Sequence, residues 1–211
     1  MAQHIVLLGD SVFDNGAYVA GGPDVAQQLR EILPSGYRAS LCAVDGAVTS
    51  DVPRQMGRLP PEASHLILSV GGNDALQNIV VLEEKARSVG EALERLAAIG
   101  DAFQARYRNM LKAVLGEKLP TAICTIYDPR FPDPRMQKLA TTALKIFNDV
   151  ITREAYLRGL PLLDLRLICN EDRDYANPIE PSTSGGAKIS RAILNLVREH
   201  DFGSHRAEAF I

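Results

Sequence analysis

The chain opens on an apolar run, residues 5–8, that does not alternate with polar positions and stops at Gly9-Asp10-Ser11. Residues 39–44, 65–70, 122–127 and 160–165 form four further runs of the same kind. Strict alternation marks a strand with one wet face, whereas short continuous runs mark strands covered on both faces. Between these runs the period changes. Residues 24–33 read as a helix stopped by Pro34 and Gly36. Residues 86–115 place Leu93, Leu96, Phe103, Tyr107, Leu111 and Val114 at intervals of three, four or seven. That spacing predicts a long amphipathic helix, with Gly100-Asp101 as the point where it would break or kink. Residues 136–157 repeat the pattern through Leu139, Ala143, Ile146, Val150 and Leu157. A last helix spans 184–198, with Ser182, Thr183 or Ser184 as its cap.

Strands alternating with helices imply a parallel sheet with right-handed crossovers, hence an α/β fold built as a three-layer α/β/α sandwich. Residues that follow a strand then lie at the functional edge, beyond the carboxyl ends of the strands. Residues that begin a strand lie about 20 Å away.

With 211 residues, no internal repeat and no low-complexity tract, the chain reads as a single domain, 1–211. A net charge of -3 and a pI near 5.8 give no electrostatic case for nucleic acid or an anionic membrane. No targeting segment is recognisable, and no run approaches the roughly 20 apolar residues of a membrane span. Cys42, Cys124 and Cys169 are odd in number and lack metal-ligand spacing. Free buried thiols and a reducing cytoplasm are expected. No cofactor is implied.

The chemistry concentrates after the strands. The first is followed by Gly9-Asp10-Ser11-Val12-Phe13-Asp14-Asn15-Gly16, the second by Asp45-Gly46-Ala47-Val48-Thr49-Ser50-Asp51, the third by Gly71-Gly72-Asn73-Asp74. A serine past a strand projects from the sheet edge, and glycine beside it permits a sharp turn. The asparagine amide is a donor suited to a developing oxyanion. Taken singly, each segment reads equally well as a turn or a helix cap. Taken together and in this order, they resemble blocks one to three of the SGNH (GDSL-type) hydrolases, a similarity that runs from Gly9 to about Ala187. The resemblance implies a flavodoxin-like, five-stranded parallel sheet. It also implies that Ser11 is the nucleophile, with the Ser11 amide, the Gly46 amide and the Asn73 side chain as oxyanion donors.

The fourth block departs from the family's Asp-x-x-His-Pro. Residues 177–186 read Asn-Pro-Ile-Glu-Pro-Ser-Thr-Ser-Gly-Gly, so Asn177 stands at the aspartate and Glu180 at the histidine. None of the four histidines is placed to substitute. His4 and His65 precede strands, His200 follows a helix that carries it roughly 24 Å off, and His205 belongs to the C-terminal tail. Glu180 is therefore the candidate base. Burial would raise its pKa from about 4.3 towards neutrality, and Asn177 could hydrogen-bond it.

Other charged residues have plainer uses. Asp172 and Asp174 are expected on a solvated loop. Asp10, Asp14, Asp45, Asp74 and Asp128 make the functional edge acidic, as caps and turn formers ahead of metal ligands. Arg130, in Asp128-Pro129-Arg130-Phe131-Pro132-Asp133-Pro134, belongs to a stiff connector or meets an anionic part of a substrate. Two functions follow: a serine-dependent ester hydrolase or acyl transferase acting on a small-molecule ester through an acyl-Ser11 intermediate, or an inactive binding protein on the same scaffold.

Overall fold

A computed structural model describes residues 3–211. Strand β1 (Gln3–Gly9) is central, and its side chains divide by parity. Ile5 and Leu7 enter one hydrophobic cluster, Val6 and Leu8 the other. The first cluster lies under α1 (Val25–Ile32) and α7 (Thr183–Glu199). The second lies under α4 (Val89–Gly116) and α5 (Pro134–Arg158). A strand that feeds two cores has no polar face, which is why its sequence does not alternate.

Beside β1 run β2 (Tyr37–Leu41) and β3 (His65–Ser69), then β4 (Thr121–Cys124) and β5 (Leu162–Leu163), all parallel. The order is β2-β1-β3-β4-β5-β6, so the chain reverses direction across the sheet between β1 and β3. Ligand crevices form at such a switch point. Both Ser11 and Asn73 follow the strands that flank it.

The three-layer parallel architecture is as expected, with differences at particular elements. The sheet has a sixth strand, β6 (Ala209–Phe210), where the C-terminal tail folds along β5 in parallel register. Strand β2 is an edge strand and half-exposed, not covered on both faces. β5 is shorter than its apolar run because Pro161 precedes it and Asp164 caps the short helix α6 (Leu165–Ile168). β4 ends at Cys124, and residues 125–133 continue as an open loop.

Helix α4 starts at Val89, capped by Ser88, and runs without interruption through Gly100. A β-carbon there would lie 2.6 Å from Ile146 Cγ2, so the glycine serves close packing of α4 on α5 instead of a break. Two short helices after strands, α2 (Val52–Met56) and α3 (Gly72–Leu76), fall outside the periodic segments. All three cysteines are buried and unpaired.

Candidate active site

The turn after β1 places the serine. Gly9 takes φ 125°, and a β-carbon would fall 1.7 Å from the Ser69 carbonyl oxygen on β3, so only glycine fits. Gln55 of α2 grips the same glycine from the other side. Its Nε2 donates to Gly9 O at 2.7 Å, and its Oε1 accepts from Gly9 N at 2.8 Å. The chain then turns through Asp10, whose Oδ1 accepts from Val12 N at 3.1 Å, and leaves Ser11 at the wall of a cavity.

Ser11 Oγ donates to Glu180 Oε1 at 3.1 Å, across 169 residues of sequence. Glu180 is 5 % exposed, and its second oxygen, Oε2, is buried without a protein partner among the described residues. Burial pushes the carboxyl up to about 7; the Ser11 hydrogen bond opposes that rise and the nearby Asp45 charge adds to it. Asp10 lines the same cavity and is raised to about 8, chiefly by burial, against the pull of the Val12 amide and with the charges of Glu180 and Asp74 adding.

The segment that carries Glu180 is tied down on every side. Asn177 Oδ1 accepts from Ile179 N and Glu180 N, both at 2.9 Å. Asn177 thus binds the backbone of Glu180 and not its carboxylate: it shapes an Asx turn that presents the side chain. Ala176 N donates to Glu180 O at 2.9 Å, Tyr127 Oη to Ile179 O at 2.6 Å, and Asn15 Nδ2 to Pro181 O at 3.0 Å. Asn15, fully buried, also accepts from Val25 N with its Oδ1 and so joins the serine turn, α1 and the glutamate segment.

Asn73, in the first turn of α3, also lines the cavity. Its Nδ2 spends one hydrogen on Ala47 O at 3.0 Å and retains the other. That bond brings the loop of Gly46 (φ 77°) alongside. Among the described residues, neither the Ser11 amide nor the Gly46 amide has an acceptor. Asp74 holds the same loop by accepting from Thr49 N at 2.9 Å and Thr49 Oγ1 at 2.8 Å. Ser11, Asn73 and Glu180 share the cavity wall; Gly46 is not among the residues that line it.

The remaining charged residues are accounted for locally. Asp172 is exposed and pairs with Arg130, whereas Asp174 is fully buried, a correction to its expected solvated position, and binds Lys188 Nζ at 2.8 Å. Arg130 points away from the cavity. Its guanidinium lies over the Tyr175 ring at 4.7 Å and donates to Asn170 O, which fastens the loop after β4 to the segment before Glu180. Asp14 accepts from Asp45 N, and Asp45 from Tyr18 Oη. No described group of three or more His, Cys, Asp or Glu is arranged to hold a metal ion.

No histidine lines the cavity. His4 meets Ser40 and Glu62, while His65 and His200 pack against Phe202. The carbonyl of His205 covers Gly159 at the end of α5.

The sequence reading missed several amides that act on backbone, Gln55 and Asn15 among them. Asn15 stands inside the quoted first motif, but nothing local marks its partner, which lies 166 residues away.

The chain matches the model of the GDSL-like Lipase/Acylhydrolase family over residues 7–187. No curated protein matches it significantly in sequence. Among solved structures it is similar to an extracellular lipase from Streptomyces rimosus, with TM-score 0.68 and 16 % identity over 95 % of this chain and 100 % of that one. It is similar also to phospholipase A1 from Streptomyces albidoflavus NA297, with TM-score 0.66 and 17 % identity over 95 % and 100 %. An aryl esterase from M. smegmatis aligns with TM-score 0.62 and 12 % identity over 93 % and 99 %.

Proposed function

The chain belongs to the GDSL-like lipase/acylhydrolase family, and on that premise we propose that it is a serine-dependent carboxylic ester hydrolase that uses Glu180 in place of the usual histidine. The observation that carries this reading is the 3.1 Å hydrogen bond from Ser11 Oγ to a buried carboxylate whose pKa is raised to about 7. A base of that pKa is matched to neutral pH; an ordinary glutamate is about two units too weak.

In this mechanism Ser11 Oγ attacks the ester carbonyl carbon while its proton passes to Glu180 Oε1. The oxyanion accepts from the Ser11 amide, the Gly46 amide and the free hydrogen of Asn73 Nδ2. Collapse breaks the C–O bond of the leaving alcohol, which departs with the proton held by Glu180 and leaves acyl-Ser11. Water then enters, gives its proton to Glu180 and attacks the acyl carbon; the proton returns to Ser11 Oγ as the acid is released. A histidine would become a cation at the midpoint and needs an anionic partner, whereas a glutamate becomes neutral and needs none. The exchange of aspartate for Asn177 is coherent with that difference.

The test is turnover of aryl esters from pH 5 to 9, with Ser11→Ala as the blank, and mass spectrometry of the intact protein for an acyl adduct on Ser11. Turnover of about 1 s⁻¹ or more, lost in Ser11→Ala, is the expected result. Turnover equal to the blank with every ester would overturn it and favour a binding role for the cavity.

A further inference from the structure

The opposite edge of the sheet carries a second cluster of hydroxyl and titratable side chains, roughly 17 Å along β1 from the turn that places Ser11. His4 of β1 and Ser40 of β2 meet there, with Nε2 2.8 Å from Oγ. Across the imidazole, Nδ1 lies 3.7 Å from Glu62 Oε1. The His4 side chain is only 7 % exposed, and its Nδ1 is buried with no hydrogen bond among the described residues. Glu62 favours the tautomer that keeps the proton on Nδ1, which leaves Nε2 to accept from Ser40. Burial and the Arg38 charge lower the imidazole pKa below its ordinary 6.5, against the pull of Glu62, so the ring is neutral at pH 7. Ser64 clamps the His4 backbone: its Oγ accepts from His4 N at 2.7 Å, and its N–H donates to His4 O at 2.9 Å. A serine bonded to an imidazole that a carboxylate orients is the arrangement that activates a serine nucleophile.

Ser40, His4 and Glu62 line one open cleft of about 490 Å³, together with Arg30 and Arg38. Arg38 Nη2 is 3.4 Å from Glu62 Oε1, and Arg30 is anchored to the edge of β2 by donating from Nε to Ala39 O at 2.9 Å. Two guanidiniums against one carboxylate and a neutral imidazole suit the cleft to an anion.

We propose that Ser40, His4 and Glu62 form a second nucleophilic site, separate from Ser11, that takes an acyl group from a small acyl phosphate. Ser40 Oγ attacks the carbonyl carbon and gives its proton to His4 Nε2. The bond from that carbon to the bridging oxygen breaks, and the phosphate leaves with the electron pair and takes the proton from His4. Acyl-Ser40 and inorganic phosphate are the products. Arg30 and Arg38 hold the phosphate and neutralise charge as it departs. A neutral aryl ester offers them nothing to hold, so the site is independent of the esterase reading.

The test incubates the full chain carrying Ser11→Ala, in which the first serine is silent, with acetyl phosphate, and maps acetylation by peptide mass spectrometry. The tryptic peptide 39–54 holds Ser40 and no lysine, so fragment ions place the label without interference from acetylated amines. Acetylation of Ser40 that saturates with acetyl phosphate and is slowed by excess inorganic phosphate is the expected result. His4→Gln should slow it by about a hundredfold or more, Glu62→Gln by a smaller factor, and Arg38→Gln should raise the half-saturating concentration. No acetyl group on Ser40, or a labelling rate unchanged in both His4→Gln and Glu62→Gln, overturns the proposal. Should His4→Gln fail to fold, Glu62→Gln decides, since Glu62 is half-exposed: at an unchanged melting temperature, a slower label supports the site and an equal one overturns it.

Discussion

At the scale of single residues, the role proposed for Glu180 couples activity to stability with opposite signs. Its carboxyl is raised to about 7 in the folded chain from an ordinary 4.5. Catalysis needs the anion, so kcat/KM should rise with pH through an apparent pKa near 7 and level off above it. Folding prefers the neutral acid. The unfolded chain releases this proton near pH 4.5 and the folded chain only near 7, so stability falls across that window and the loss is complete above it. The full shift corresponds to about 3 kcal/mol at most. Glu180→Gln should therefore lower kcat/KM by roughly 10²–10⁴ and at the same time raise the melting temperature at pH 8. A variant that kept wild-type turnover would remove Glu180 from the mechanism. Asn177→Ala tests the turn separately: it removes the acceptor for two backbone amides and should cut kcat about tenfold while the apparent pKa stays near that of the wild type, because the carboxyl itself loses no partner. This division was only half legible in sequence. Position in the fourth motif made Glu180 the candidate, but whether Asn177 addressed the carboxylate or the backbone depended on a turn geometry that residue spacing does not encode.

At the scale of elements, the site is held by glycines where chain segments touch and by amides that clasp backbone. Gly185, in the first turn of α7, lies so near the Asp174 carbonyl that a β-carbon would fall 2.2 Å from its oxygen. Gly185→Ala must push α7 away from the segment at 172–174, whose Asp174 carbonyl also accepts from Ser182 N. The displacement reaches Glu180 through the cap of the helix. A loss of about 2 kcal/mol or more in stability, with kcat falling further than KM rises, is the expected pattern. Denaturant melts and steady-state kinetics on the same preparation read both; unchanged kcat would show that the glutamate segment is fixed independently of α7. The sequence announced most of these elements correctly because period and caps are local: of the three candidates Ser182 is the one that caps α7, and Asp24, read as the first residue of α1, is its cap. It misjudged Gly100, since a mid-helix glycine means a break or a close contact according to what packs opposite. That neighbour, Ile146, comes from another helix.

At the scale of the whole molecule, the continuous apolar runs established a parallel sheet covered on both faces, but they were silent about its margins. An edge strand buries one side only and carries little signal, and so β6 is invisible as a pattern: it has two residues, one of them half-buried Phe210. Its attachment is nonetheless specific. Leu162 N donates to Glu208 O at 2.8 Å and Asp164 N to Phe210 O at 3.0 Å, which pairs the outer edge of β5. Glu208 Oε2 also meets Nδ1 of the buried His200 at 3.0 Å. Removing residues 206–211 would therefore uncover a strand edge, strip Phe210 from the core and leave a buried imidazole nitrogen without its partner. We expect a loss of about 2 kcal/mol, or roughly 4–8 °C in melting temperature for a chain of this size. Aggregation on heating should begin earlier, because an unpaired β5 recruits other chains. Esterase turnover at 25 °C should persist, since none of the residues removed lines the cavity or binds the segments that place Ser11 and Glu180. Calorimetry, light scattering and kinetics on the truncated chain separate these effects. An unaltered melting temperature would mean that β6 adds nothing to the fold, and lost turnover at full helicity would mean that the tail reaches the site by a route other than the sheet.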